Sequence, residues 1–104
     1  MKEISVQELK NKIDNQEDFQ LVDVRESFEY EMSNLQGDLI PLGGILIEAD
    51  KISKDKPVVI HCRSGARSAA AIMQLESMGF TNLYNLKGGI IAWATEIDPS
   101  IQVY

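Results

Sequence analysis

A single cysteine, a single histidine and a single tryptophan stand in a chain of 104 residues, and only 3 prolines interrupt it. One cysteine excludes an internal disulfide and any cysteine-based zinc cluster. With one histidine beside it, no ligand set remains for an ordinary transition-metal site, so neither metal nor cofactor is expected. Basic residues are also in deficit: 10 Lys and Arg stand against 16 Asp and Glu, a net charge of −6. Nucleic acids and acidic membrane surfaces are held by Lys and Arg, and neither is expected as a partner here. No apolar run approaches the ~20 residues of a membrane span. Met1-Lys2-Glu3 opens the chain without an apolar segment behind it, and a reducing cytoplasm is the expected location. Repeats and low-complexity tracts are missing too, and the length and apolar content are those of one domain, residues 1–104, with its own core.

What the chain does have is concentrated between Pro57 and Gly79. Val58, Val59 and Ile60 are all β-branched and predict a short buried strand. His61 and Cys62 follow directly, then Arg63-Ser64-Gly65-Ala66-Arg67-Ser68. From Ser68 or slightly before, the spacing of Ala71, Ile72, Leu75 and Met78 predicts the buried face of a helix that Gly79 stops. Cys62 thus sits at the C-terminal end of a strand, in a tight loop feeding a helix N-terminus. Such a loop can turn several backbone N–H groups inward, where they favour an anion. Helix N-termini and nearby cations stabilise a thiolate, and Arg63 and Arg67 both supply positive charge. Gly65, with no Cβ, lets the backbone close around a small ligand. A buried, inert cysteine is the bland alternative, and the two arginines, the glycine and the strand-to-helix position weigh against it.

The rest of the chain alternates. A first strand near Glu3 and Ile4 gives way at Ser5, which with Glu8 forms a capping box for a helix through about Lys12, with Val6, Leu9 and Ile13 inward. Phe19 to Val24 reads as a buried strand ending at Asp23-Val24-Arg25, followed by a short helix from Ser27 to Glu31. Leu39 and Ile40 form a third strand closed by Pro41. The spacing of Ile45, Glu48, Ala49 and Ile52 predicts a helix after Gly43-Gly44. Asn82 to Leu86 forms a fifth strand and Gly89 to Glu96 the last helix. Strands alternating with helices define an α/β fold, a mostly parallel sheet with helices on both faces, whose ligands bind at the carboxyl ends of strands, where Cys62 lies.

Three motifs carry a family resemblance. Cys62-Arg63-Ser64-Gly65-Ala66-Arg67-Ser68 resembles the active-site loop of single-domain rhodaneses, sulfurtransferases whose cysteine carries a sulfane sulfur as a persulfide. Asp23-Val24-Arg25-Glu26 with Phe28-Glu29-Tyr30 resembles the family's Asp-Val-Arg signature, and Gly88-Gly89-Ile90-Ile91-Ala92-Trp93 its Gly-Gly-x-x-x-Trp segment. The three span most of the chain in the family's order. The stretch Asn34-Leu35-Gln36-Gly37-Asp38-Leu39-Ile40-Pro41 departs from the family's His-Ile-Pro-Gly-Ala-x-Asn-Ile-Pro, one residue shorter, in a connection outside the catalytic loop.

The resemblance implies a three-layer rhodanese-like fold with five strands, and Cys62 as the catalytic nucleophile. It implies that the N–H groups from Arg63 through Ser64, Gly65 and Ala66 to Arg67 cradle the transferred sulfur. Small sulfur donors and acceptors would be the partners: thiosulfate or a persulfide on one side, cyanide, a thiol or a protein acceptor on the other. With no second thiol in the chain, a Cys62 persulfide must pass its sulfur to another molecule. Arg67 either attracts the anionic donor or pairs with a carboxylate to brace the loop. Asp23 and Arg25 either reach the mouth of the site or form a structural ion pair. His61 reads as a satisfied or solvent-facing side chain, Trp93 as core, and Gly88-Gly89 as a turn admitting close backbone approach. Two other functions fit parts of the pattern. A cysteine phosphatase or arsenate reductase shares the His-Cys loop but places five residues between Cys and Arg, where this chain has only Arg63 to Ala66. A non-catalytic rhodanese-like binding or regulatory module often lacks the cysteine that is present here.

Overall fold

The structure, a computed structural model, describes residues 1–103. Five strands form one parallel sheet in the order β1-β5-β4-β2-β3, with β1 at Glu3–Ile4, β2 at Gln20–Asp23, β3 at Asp38–Leu39, β4 at Val58–His61 and β5 at Leu83–Leu86. The helices are α1 at Val6–Asp14, α2 at Ser27–Met32, α3 at Ala66–Glu76 and α4 at Gly89–Glu96. A parallel sheet needs cover on both faces, and the central strand β4 is buried along its whole length. Val58 and Ile60 point into a cluster with Ala71, Ile72 and Leu75 of α3, while Val59 between them points into a second cluster with Val6, Leu9 and Trp93. The two-residue period of one strand therefore feeds two cores, and each Leu or Ile fully buried there contributes roughly 1.5–3 kcal/mol.

Local signals act where the sequence places them. Ser5 caps α1, its Oγ accepting from the Glu8 N–H at 3.1 Å while the Ser5 N–H donates to Glu8 Oε1 at 3.0 Å. Past α3, Gly79 takes φ +97°, and the N–H groups of Gly79 and Phe80 return to the carbonyls of Glu76 and Leu75.

Three expectations need correction. No α-helix forms over 45–52; two short 3-10 turns, Leu42–Gly44 and Ala49–Lys51, stand there instead. Ile45, Ala49 and Ile52 are buried all the same, because an irregular chain of turns can deliver the same three side chains to the core, while Gly43, Gly44 and three isoleucines weaken a helix. Ile13 is 40% exposed rather than inward: it stands in the last turn of α1, where it borders an open cavity instead of the core. Met78 is 47% exposed because α3 ends at Glu76 and the turn toward Gly79 carries Met78 off the helical stripe. Strand limits also differ by a residue or two: β2 stops at Asp23, β3 is centred one residue earlier, and β5 starts at Leu83. Among the described residues, no helix is long and apolar enough to cross a membrane.

Candidate active site

Cys62 leaves β4 into a loop that enters α3 at Ala66, and Gly65, the residue before that helix, takes φ +120°. The loop's shape is imposed by α4. At that helix's first turn the N–H groups of Ile90 and Ile91 have no partner within α4. They donate instead to the carbonyl oxygens of Cys62 and Arg63 at 3.0 and 3.1 Å. In a planar trans peptide the N–H points opposite to the C=O. Turning the Arg63 carbonyl out toward α4 therefore turns the Ser64 N–H in, toward the cysteine sulfur. Gly89 makes the approach possible. It has φ +60°, and a Cβ there would lie 2.4 Å from the Arg63 oxygen and 2.7 Å from that of Cys62. The Gly88-Gly89 turn is thus the close approach that its sequence suggested.

Cys62, at the centre, is 1% exposed. The Gly65 N–H donates to Cys62 Sγ at 3.1 Å, and Ser68 Oγ stands 3.4 Å from it. Burial pushes the thiol up, but the Ser68 hydroxyl and the backbone N–H groups of Ser68, Gly65 and Ser64 outweigh it, and Cys62 lies below the ordinary thiol range. Ser68 is itself tied across to β5, 2.6 Å from Asn85 Oδ1, and Asn85 Nδ2 donates to the Gly65 carbonyl at 3.2 Å. Neither Ser68 nor Asn85 was singled out from sequence. A signal existed for Asn85: it is a polar residue two positions after Leu83, on the face of the sheet that carries Ile60 and Cys62.

Arg67 and Arg25 are each held by a carboxylate. Arg67 donates from Nη1 and Nη2 to the two oxygens of Glu29 at 2.7 and 2.9 Å, clamping the start of α3 to α2. Hydrogen bonding from Arg67 is the main cause that lowers the Glu29 carboxyl, to about 2, against its burial. Glu29, buried and absent from the candidates read from sequence, is therefore part of the loop's support. Arg25 forms a buried pair with Asp23: its Nε lies 3.0 and 3.1 Å from the two oxygens, and its Nη2 reaches Asp23 Oδ2 and the Ser33 carbonyl, both at 2.8 Å. That pair sits at the end of β2, beside the end of β4. His61 is not solvent-facing and is only half satisfied, with Nδ1 3.4 Å from the Cys62 carbonyl oxygen. It is wholly buried, its Nε2 has no hydrogen-bond partner, and Asp23 Oδ2 is 3.6 Å away. Burial drives its pKa down, with Asp23 opposing, so the imidazole is neutral and adds no charge to the thiolate.

A cavity of about 860 Å³ opens at the other end of the sheet, lined by Phe19, Leu21, Leu35, Asp38 and Lys51 among others. It lies at the starts of β2 and β4, away from Cys62, and the chain's one thiol is not in its lining.

A parallel α/β sheet, a loop of inward N–H groups around one thiol, and a Gly-Gly turn beneath it define the site. The chain belongs to the rhodanese-like domain family, whose model matches residues 5–96. It is 42% identical over 93 residues to a protein of Allochromatium vinosum named sulfurtransferase, covering 88% of this chain and 87% of that one. It is 33% identical over 106 residues to the Mycobacterium tuberculosis protein named "Probable adenylyltransferase/sulfurtransferase MoeZ", matching 97% of this chain but spanning only 26% of the larger one. Among solved structures, a rhodanese-like domain protein from Staphylococcus aureus superposes with a TM-score of 0.85 at 33% identity, over 100% of this chain and 99% of that chain.

Proposed function

We propose that this protein is a sulfurtransferase that moves a sulfane sulfur through a persulfide on Cys62. The observation that carries the reading is the sulfur itself: a thiol at the focus of the Ser64, Gly65 and Ser68 N–H groups, lowered below its ordinary range despite burial. The thiolate attacks the outer sulfur of thiosulfate or of a low-molecular-weight persulfide. One S–S bond forms as the donor's S–S bond breaks, and sulfite or a thiolate leaves with the bonding pair. The terminal sulfur then passes to cyanide, a thiol or a protein acceptor, and Cys62 leaves as thiolate. Preorganised N–H groups stabilise the charge on the carried sulfur as an oxyanion hole stabilises an alkoxide. Sulfurtransferase names among the relatives support the same chemistry.

The phosphatase reading loses ground on two observations. Only Arg63 to Ala66 separate Cys62 from Arg67, which makes a smaller ring than a phosphate requires. Both terminal nitrogens of Arg67, which would clasp such a phosphate, are engaged by Glu29. The binding-module reading predicts that Cys62→Ser preserves every cellular role.

A thiosulfate:cyanide assay read as thiocyanate tests the proposal, run on wild type and Cys62→Ser and then repeated with glutathione persulfide as donor. Turnover that disappears with the thiol supports transfer through Cys62. No turnover with either donor, in folded and reduced protein, overturns it.

A further inference from the structure

The Ser68 hydroxyl owns one hydrogen and faces three acceptors. Asn85 Oδ1 lies 2.6 Å from Ser68 Oγ, the Gly65 carbonyl 3.1 Å and Cys62 Sγ 3.4 Å. The two oxygens among them can only accept. While the hydrogen lies on the short Ser68–Asn85 bond, Cys62 can meet Ser68 only by donating its own S–H to the hydroxyl oxygen, which favours the thiol. Once the thiol ionises, the sulfur needs that hydrogen. If Ser68 turns it toward Sγ, Ser68 Oγ and Asn85 Oδ1 are left 2.6 Å apart with no hydrogen between them. Asn85 cannot relieve this by flipping its amide, because Nδ2 is held on the Gly65 carbonyl at 3.2 Å and a flip would set oxygen against oxygen there.

We propose that Asn85 is a positioning residue that competes with the Cys62 sulfur for the single hydroxyl hydrogen of Ser68, and so sets how much of the resting site is thiolate. The proposal rests on Cys62 being the nucleophile of the reading above, but it concerns the thiol before any sulfur is bound. Two effects of opposite sign follow from neighbouring residues in one hydrogen-bonded chain. Removing the Ser68 hydroxyl takes a donor from the thiolate. Removing the Asn85 amide oxygen frees that donor for the thiolate.

The test is the pH dependence of Cys62 alkylation by iodoacetamide in wild type, Asn85→Leu, Ser68→Ala and the double variant. One neutral hydrogen bond corresponds to a shift of about 0.5–1 pH unit. The midpoint is expected to fall by about that much in Asn85→Leu and to rise by a similar amount in Ser68→Ala. In the double variant it should equal that of Ser68→Ala alone, because the competition runs through the hydroxyl and not through the Asn85 Nδ2 bond to the Gly65 carbonyl. Asn85→Val, equally compatible with a strand, carries the same expectation should the leucine variant not fold. An unchanged or raised midpoint on loss of Asn85 overturns the proposal, as does an Asn85 effect that persists without Ser68. Alkylation reads the thiol alone. A shift of the expected sign in a protein that transfers no sulfur would therefore sustain the competition and refute the transferase reading.

Discussion

At its C-terminal end β4 runs into a loop whose carbonyls are taken by α4 and whose N–H groups converge on a buried thiol, whereas just before its N-terminal end Lys56 borders an open cavity of about 860 Å³. Beside that cavity Gln20 donates to Asp38 Oδ2 and to the Lys51 carbonyl and accepts from the Ser53 N–H. At the other end, helix and sheet geometry leave N–H groups with no backbone partner and aim them at one atom. Parallel sheets place their reactive ends at the carboxyl termini of strands for this reason, and volume alone does not find the site.

Substitutions at the two ends should therefore separate stability from sulfur transfer. The largest effect is expected from Gly89→Ala, whose new Cβ would meet the Arg63 and Cys62 carbonyls at 2.4 and 2.7 Å. Pushing the loop off α4 misaims its N–H groups, and the thiocyanate assay should lose on the order of 10²-fold or more, with a lowered melting temperature. Next comes Arg25→Ala, which leaves Asp23 buried beside neutral His61 with its charge unpaired. Breaking a buried pair costs about 3–5 kcal/mol, measurable as a fall in the denaturant midpoint.

A smaller effect is expected from acid. The Glu29 carboxyl is depressed from 4.5 to about 2 in the folded protein, so its clamp on Arg67 contributes stability that is fully present above about pH 4.5 and is lost as the pH falls through about 2. Unfolding midpoints followed down this range should drop less steeply in Arg67→Gln than in wild type; parallel curves would show that the clamp contributes nothing. Smallest is Gln20→Ala at the far end, expected to cost about 1–2 kcal/mol of stability through its lost hydrogen bonds while leaving kcat and KM for sulfur transfer unchanged. A change in transfer on that substitution would join the two ends that the geometry keeps apart.

Much of the fold is legible in the sequence. The strand Val58–Ile60, legible as a β-branched run, the cysteine at its end, and the capping box at Ser5 and the last helix from Gly89 to Glu96, which rest on residues close in sequence, all stand in the structure. The segment 45–52 was not, because apolar residues at positions 45, 49 and 52 are buried equally well by a helix or by two turns, and periodicity reports burial rather than hydrogen bonding. The partners of the site were hidden for a different reason. Glu29 meets Arg67 across 38 residues and Asn85 meets Ser68 across 17, distances at which one sequence carries no pairing signal. His61 illustrates a third limit: its position was evident, but its burial beside Asp23 depends on how two strand ends pack.

The most direct test of the account is the intact mass of the protein after incubation with thiosulfate or glutathione persulfide, in wild type and in Cys62→Ser. The account predicts a gain of one sulfur atom on wild type, lost on adding cyanide, and no gain on the serine variant. An unchanged mass on folded, reduced wild-type protein that iodoacetamide still alkylates at Cys62, or a sulfur retained in the absence of the thiol, would contradict it.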